Sequence, residues 1–338
     1  MSRAHLLVLE CGPATGLQDG GRPGYQRQGL SGSGPMDRLA LAAANALVGN
    51  APGVAALELA LTGARLRAAG GSVRLALAGA PFGLSIDGEA VGDHRSFQVP
   101  DGATLVLRPP RQGLFAYLAV AGGIHVPESL GSRALHLRAA LGGLEGRNLR
   151  AGDRLPVATC TDAAPDRALV PLPLDADEPV RVVLGPQADH FPDEAVADFL
   201  ATPYTVSNRA DRMGYQLDGQ TIRHGGRGFN IVSDATVPGS VQVPGSGLPI
   251  ILMADRQTTG GYPKIATVIS ADLRRVAQRR PGEPLRFAPV SVDRAVALAR
   301  EAAALQAGLA GRLGPVTSRE ERLMEANLAG DAVDALAP

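Results

Sequence analysis

Between residues 55 and 120 the sequence alternates short apolar runs with turns made of glycine, proline and aspartate. Two of these turns contain Asp-Gly pairs, Asp87-Gly88 and Asp101-Gly102, which are typical of β-hairpins. Several short strands at this spacing indicate a barrel or a sandwich. The 42 glycines and 26 prolines among 338 residues also favour tight connections over a helical bundle. We therefore predict a mainly β protein with some helix.

The chain is long enough for two domains that each bury a core. Residues 163–179 are rich in proline and aspartate and predict a linker. We predict an N-terminal β-rich domain over residues 1–172, a β-barrel domain over 178–290 and a helical tail over 291–338. The strands predicted in this sequence are 5–9, 56–59, 73–78, 104–107, 114–120, 180–184, 204–206, 240–243, 249–253 and 265–269.

Charge and cysteine usage exclude several classes of function. Net charge is zero and the pI is near 7, so no basic field favours nucleic acid or an anionic membrane. Cys11 and Cys160 lie far apart and form neither a disulfide framework nor a zinc motif. The first apolar run is too short for a signal peptide, and no run is long enough to span a membrane. A cytoplasmic location is the default expectation.

The densest run of chemically active side chains is residues 253–264, which ends at the only lysine of the chain, Lys264. All the other basic side chains are arginine. A lysine ammonium approaches an anion at a single point and loses its proton readily when desolvated, so it is not interchangeable with arginine. Gly260 and Gly261 allow either positive φ or a close approach of the backbone to a neighbour. The run lacks the spacing of a phosphate-binding P-loop.

This loop lies between two predicted buried strands and would present its polar side chains over a small area, as active-site and binding loops do. Those side chains are Asp255, Arg256, Gln257, Thr258, Tyr262 and Lys264. Asp37 is expected either to cap a helix or to belong to a site. Glu58 alternates with apolar neighbours, and we expect it to face solvent.

Several motifs occur in an order that resembles the KipA family, whose members are also called 5-oxoprolinase C subunits, allophanate hydrolase subunit 2-like proteins or biotin-dependent carboxyltransferases. The resemblance covers residues 3 to about 292. The motifs that carry it are Gly12-Pro13, Gln18-Asp19-Gly20-Gly21-Arg22, Ser33-Gly34-Pro35-Met36-Asp37, residues 44–50, Asp211-Arg212-Met213-Gly214-Tyr215, Val241-Gln242-Val243-Pro244 and residues 255–264.

The resemblance implies two β-barrel domains in tandem, at least the second of them cyclophilin-like. It also implies two partner subunits, one KipI-like (B-type), which shares the site, and one LamB/YcsF-like (A-type). The activity it implies is ATP-dependent opening of 5-oxoproline to glutamate, with ATP required by the complex. Alternatives are carboxyl transfer from carboxybiotin to a urea-like substrate, and regulation by binding a KipI-like kinase inhibitor.

If the chain is an enzyme subunit, we expect Lys264 and Arg256 to stabilise developing negative charge, and Asp255 to orient them or accept a proton. No metal site is expected, and this chain carries no lysine in the setting of a biotin carrier. The expected substrate-binding residues are Gln257, Thr258, Tyr262, Gln18, Asp19, Arg22 and Arg212.

Overall fold

The structure, a computed structural model, describes residues 4–160, 165–172, 174 and 178–316. Its residues are 33% strand and 18% helix, which confirms the prediction of a mainly β fold with helices near the C-terminus. Part of the predicted linker and the tail beyond residue 316 lie outside the described residues. None of the helices within the described ranges has the length and apolar character of a membrane span.

The N-terminal unit, residues 4–172, is built from two antiparallel sheets. Its strands are β1 (His5–Cys11), β2 (Gly16–Gln18), β3 (Ala56–Ala60), β4 (Ala64–Ala69), β5 (Val73–Gly79), β6 (Gly83–Ile86), β7 (Glu89–Val91), β8 (Arg95–Val99), β9 (Thr104–Arg108), β10 (Phe115–Val120), β11 (Arg154–Pro156) and β12 (Arg167–Leu169).

The C-terminal unit, residues 178–289, contains one eight-stranded sheet and a small two-stranded ribbon. Its strands are β13 (Val180–Leu184), β14 (Tyr204–Val206), β15 (Gly214–Asp218), β16 (Asp234–Ala235), β17 (Ser240–Gln242), β18 (Ile250–Leu252), β19 (Thr259–Gly260), β20 (Lys264–Val268), β21 (Pro284–Leu285) and β22 (Phe287–Pro289). A last strand, β23 (Leu313–Pro315), pairs with β12 and so returns the chain to the N-terminal unit.

In the part of the chain that the structure describes, four α-helices connect or cover these sheets. They are α1 (Arg38–Leu47), α2 (Asp193–Ala201), α3 (Leu273–Ala277) and α4 (Val292–Ala307). Asp37 caps α1, because its carboxylate accepts the N–H of Ala40, and Gly49 follows in the left-handed conformation. Ser291 caps α4 in the same way through the N–H of Arg294.

The strand orders explain where the cores lie. The six-stranded sheet runs β11-β1-β4-β9-β6-β7, and the seven-stranded sheet runs β2-β3-β10-β5-β8-β12-β23. Leucine and valine side chains fill the space between these two sheets. The other face of the seven-stranded sheet is lined by alanines, on which α1 packs, and this second core continues into the eight-stranded sheet of the C-terminal unit. Helix α1 therefore lies at the junction of the two units.

One hairpin prediction is confirmed and one is wrong. Asp87-Gly88 joins β6 and β7, which pair with each other. The turn at Asp101-Gly102 joins β8 to β9, but β8 pairs with β5 and β12 whereas β9 pairs with β4 and β6. That turn passes the chain from one sheet to the other, because a tight turn reverses direction without determining which strand becomes the partner.

Candidate functional site

A buried ion cluster joins the two units where the loop preceding α1 meets the end of β18. Arg212 pairs through Nη1 with Glu58, and its Nε and Nη2 donate to the carboxylate of Asp255 at 2.9 and 3.0 Å. The same Nη2 donates to the carbonyl of Gly34 at 2.6 Å. Ser33 Oγ lies 2.6 Å from Asp255 Oδ1. We call Arg212, Glu58, Asp255 and Ser33 the junction cluster.

Electrostatics keep the guanidinium of Arg212 charged. Burial alone lowers the pKa of Arg212, but the adjacent carboxylates of Glu58 and Asp255 outweigh it and raise that pKa above its ordinary value. Tyr117 donates its hydroxyl to Glu58 at 2.7 Å, and burial followed by the charge of Glu58 raises the pKa of Tyr117 well above its usual range. Tyr117 is therefore a neutral hydrogen-bond donor at physiological pH.

Gln278 makes a second polar link between the units. Its Oε1 accepts the N–H groups of Leu114 and Phe115, at 2.8 and 2.9 Å, and its Nε2 donates to Asp37 Oδ2 at 3.0 Å. Asp37 also lies 3.4 Å from the guanidinium of Arg274. Asp37 is thus both the cap of α1 and part of the contact between the units, so the two interpretations of this residue are compatible.

Beside the junction cluster lies a cavity of about 610 Å³, which we call the junction cavity. Its walls are the loops at 20–24 and 32–36, the start of α1, Met253, Ala254 and Arg256, residues 270–271 and 273–274, and the alanine face of α4. This volume is in the range of small-molecule sites. In the described part of the chain, its walls carry four arginines and no carboxylate: Arg22, Arg38, Arg256 and Arg274. The charge of the walls suits an anionic ligand.

Arg256 is the least compensated of these cations. Its side chain is 3% exposed, and its Nε and Nη2 reach only the carbonyl of Thr236, at 3.4 and 3.3 Å. No carboxylate among the described residues pairs with it. Burial lowers the pKa of Arg256 to about 10, so it remains charged at neutral pH. A buried guanidinium without a counterion is stabilised by an anion that enters the cavity.

Lys264 lies at a different place, at the start of β20. Its Nζ donates to Asp234 Oδ2 at 2.7 Å and to the carbonyl of Ala235 at 3.1 Å. The lysine side chain is 2% exposed, whereas that of Asp234 is 48% exposed. Hydrogen bonds from Lys264 and then from Gln187 lower the pKa of Asp234. Lys264 does not line the junction cavity.

Gln257, Thr258 and Tyr262, which follow Arg256, do not line the cavity. Gln257 donates to Gln242 Oε1 at 3.0 Å, and the carbonyl of Thr258 accepts the N–H of Thr236. Tyr262 is 40% exposed on the outer surface. The expectation that one small loop area presents all six polar side chains is therefore wrong: Asp255 and Arg256 face the junction, and the later residues face β16 and β17.

Gln18, Asp19 and Arg22 hold the loop at 129–136. Gln18 Nε2 donates to the carbonyl of Leu135 at 3.0 Å, and Asp19 accepts the Ser132 hydroxyl at 2.7 Å. Arg22 donates through Nε to the carbonyl of Ser129 and through Nη2 to that of Ala134. These side chains fix a segment next to the junction, and their binding of substrate stays a prediction.

His136 of this loop pairs with Ser31, which precedes α1, in a buried Ser–His pair that geometry excludes as a nucleophile and its base. Ser31 Oγ lies 3.0 Å from His136 Nε2. His136 Nδ1 faces the N–H of Ala139 at 3.3 Å and so accepts a hydrogen bond. A neutral imidazole that accepts at Nδ1 carries its proton at Nε2, so His136 donates to Ser31 and has no free nitrogen with which to deprotonate it.

Sequence reasoning missed three members of this region: Glu58, Tyr117 and Gln278. Glu58 is 2% exposed, so the expectation that it faces solvent is wrong. Strand β3 lies inside the seven-stranded sheet and every one of its residues is buried; Glu58 itself meets the N–H of Met36 and the guanidinium of Arg212. A carboxylate inside a strand buried on both faces was the available signal. Within the described residues no group of histidine, cysteine or acidic side chains could hold a metal ion.

Comparison with known proteins assigns the family. The model of the carboxyltransferase domain, subdomains A and B, matches residues 28–289. The chain belongs to the carboxyltransferase domain family. This result confirms the resemblance that the motifs indicate, and the match includes the junction cluster and Lys264.

Two relatives in this family have nearly the length of this chain. The C subunit of 5-oxoprolinase from Haemophilus influenzae is 39% identical over 87% of this chain and 94% of that protein. The C subunit of 5-oxoprolinase from Escherichia coli is 38% identical over 86% of this chain and 93% of its own length. The names of these relatives support a role for this carboxyltransferase-family chain in an enzyme complex.

A third similarity is structural. The crystal structure of the urea amidolyase of Kluyveromyces lactis superposes with a TM-score of 0.83 and 28% identity, over 91% of this chain and 20% of that chain. The carboxyltransferase-family fold therefore also occurs as one part of a much longer enzyme.

Proposed function

We propose that this chain is the C-type subunit of an ATP-dependent 5-oxoprolinase, which converts 5-oxoproline, ATP and water to L-glutamate. One observation carries the proposal: identity of 38–39% extends over 93–94% of two 5-oxoprolinase C subunits. The urea amidolyase match spans only 20% of its chain. The identity to the C subunits is higher than the 28% identity to the urea amidolyase, which favours the oxoprolinase.

The junction cavity supports this proposal chemically. 5-Oxoproline carries a carboxylate beside its cyclic amide, and the cavity walls supply arginines without competing carboxylates. Arg256 would contact the carboxylate or the negative charge that develops on the activated amide, through charge-assisted hydrogen bonds worth about 2 kcal/mol. Asp255 does not line the cavity, so it would accept a proton from the substrate by way of Ser33, which lines the cavity and donates to Asp255.

The proposal requires partners. We place ATP and the remaining catalytic groups on two other proteins, a KipI-like (B-type) subunit with a LamB/YcsF-like (A-type) subunit, because the sequence contains no P-loop spacing. Biotin would not be attached to this chain, since its sole lysine is 2% exposed and paired with Asp234. A cytoplasmic location is part of the same proposal.

The second candidate is carboxyl transfer to a urea-like substrate, which the carboxyltransferase family model and the Kluyveromyces lactis structure favour. A reconstituted complex of this chain with B-type and A-type subunits separates the two. We compare its turnover on two substrate mixtures. One contains 5-oxoproline and ATP, and the other contains urea, bicarbonate, ATP and a biotinylated carrier. Glutamate release supports the oxoprolinase. Carboxylation of urea alone would overturn it, and a stable complex without turnover would favour regulation by binding.

A further inference from the structure

The geometry of the junction cluster points to a role for Glu58 and Arg212 that differs from substrate binding. We propose that they are positioning residues, which hold the loop at 33–36 and Asp255 in the conformation that the site requires. The inference deepens the proposed function and rests on it for the turnover measurement alone.

Arg212 has almost no N–H group left to donate to a ligand. Its Nε donates to Asp255, its Nη1 to Glu58, and its Nη2 to Gly34 and Asp255. Ser33 Oγ also lies 3.4 Å from Nη2. Arg212 is absent from the walls of the junction cavity. A guanidinium whose fork is committed to three protein acceptors orients those acceptors instead of a substrate.

Glu58 holds the Nη1 end of the Arg212 guanidinium. Glu58 Oε2 accepts the N–H of Met36 at 3.0 Å and the hydroxyl of Tyr117 at 2.7 Å, which leaves Oε1 for Arg212. Glu58 lies on β3 of the N-terminal unit, whereas Arg212 and Asp255 belong to the C-terminal unit. The pair therefore sets the position of one unit relative to the other at the edge of the cavity.

This cluster also holds the backbone at Ser33 and Gly34. The backbone of Ser33 has a φ of 51°, in the left-handed region that residues other than glycine rarely adopt. Gly34 follows with a φ of 86°. Such a conformation persists only where surrounding contacts determine it. Arg212 bonds the carbonyl of Gly34, and Asp255 bonds the hydroxyl of Ser33. Both loops, 32–36 and 253–256, line the junction cavity.

The charges of the cluster contribute more to geometry than to stability. Burying two carboxylates and one guanidinium is unfavourable compared with apolar side chains of similar size, and a buried ion pair is weak evidence for stability. Its contribution here is directional, because a charged fork defines angles and distances that apolar packing does not.

The decisive variant is Arg212→Lys, which keeps the positive charge but loses the planar fork. In the reconstituted complex we expect kcat for 5-oxoproline to fall about 100-fold, the size of effect that a misplacement of about 1 Å produces, while KM stays within about threefold. Glu58→Gln can accept from Met36 and Tyr117 only through its single amide oxygen, which turns its NH2 group toward Arg212 and removes the acceptor of Nη1, so we expect kcat to fall in this variant too.

A second readout does not depend on turnover. Hydrogen–deuterium exchange of the peptide that covers residues 32–36 should accelerate in Arg212→Lys, while peptides of the six-stranded sheet exchange as in the wild type. Arg147→Lys is the matched control, because Arg147 forks onto Asp153 at 2.8 and 2.9 Å away from the cavity. We expect this control to leave kcat and the 32–36 peptide unchanged.

Three outcomes would overturn the positioning role. They are a kcat within threefold of the wild type in Arg212→Lys, a rise in KM at constant kcat, which would make Arg212 a substrate contact, and faster exchange throughout the molecule. If the wild-type complex releases no glutamate, the proposed function fails, and the exchange experiment still tests the positioning role.

Discussion

The ammonium of Lys264 lies 2.7 Å from the carboxylate of Asp234, on one side of β16. Lys264 also bonds the carbonyl of Ala235, and Arg256 bonds the next carbonyl, that of Thr236. Successive carbonyls of an extended segment point in opposite directions. The segment 234–236 is therefore held between two cations. Arg256 lines the junction cavity, and Lys264 lies next to the ribbon formed by β16 and β19.

Replacement of Lys264 by alanine tests its predicted catalytic role. If Lys264 is catalytic, turnover of the reconstituted complex is lost in this variant. The chain should still fold and assemble, because Asp234, which loses its ion pair, is half-exposed and solvated by water. Glutamate release and gel filtration of the complex are the measurements. Asp234→Asn is the matched control for loss of the ion pair, and turnover retained in Lys264→Ala would leave Lys264 with a structural role.

Arg256→Met should separate ligand binding from stability. Removing a buried charge that has no carboxylate partner should leave the melting temperature unchanged or raise it. Loss of about 2 kcal/mol of charge-assisted hydrogen bonding should raise KM for 5-oxoproline about 30-fold. Because burial lowers the pKa of Arg256 to about 10, affinity for the anion should also weaken as the pH rises toward 10. An unchanged KM together with a lower melting temperature would contradict this role.

The strands were readily predicted from sequence because they are short apolar runs between strong turn signals. The predicted strands 5–9, 180–184 and 265–269 correspond closely to β1, β13 and β20. Pairing was harder: the turn at Asp101-Gly102 has the local chemistry of a hairpin, yet it connects two sheets. Which strands pair is determined by packing between residues distant in sequence, which local turn chemistry does not contain.

The two adjacent glycines of the 255–264 loop give a sharp stability test. A Cβ on Gly260 would lie 2.3 Å from Nε2 of the buried Gln242, whereas a Cβ on Gly261 would meet nothing closer than 3.6 Å. We expect Gly260→Ala to lower the free energy of unfolding by about 1–3 kcal/mol. Gly261→Ala, the matched control, should change it by less than about 0.5 kcal/mol. Equal effects in urea titrations would show that the close approach to Gln242 is unimportant.

The candidate site was only partly predictable. Polar residues near glycines identified Asp255 and Arg212, which pair at the junction, and Arg256, which lines the cavity beside them. The sequence did not show that Lys264 lies away from these residues. The direction in which a loop side chain points depends on its tertiary contacts, which local sequence does not determine. Glu58 was misjudged because alternation in a strand indicates a solvent face only when nothing covers that face, and Met36 and Arg212 cover this one.

Asp153 provides a pH test away from the site. Hydrogen bonds from Arg147 lower the pKa of Asp153, although burial opposes them. A depressed carboxyl pKa stabilises the fold above the unfolded-state pKa of about 4, and that stabilisation is lost as the pH falls through the folded-state pKa. Asp153→Asn should therefore lower the free energy of unfolding by about 1–3 kcal/mol at pH 7. The difference from the wild type should narrow below pH 4; a constant difference would be the contrary result.

The central claim is that this chain is a required subunit of a 5-oxoprolinase. The most direct measurement is ATP-dependent release of glutamate from 5-oxoproline by purified B-type and A-type subunits, with this chain omitted and then added back. We predict no release without the chain and saturable restoration when it is added at equimolar concentration. Equal release in its absence, or none after a stable complex has formed, would contradict the claim.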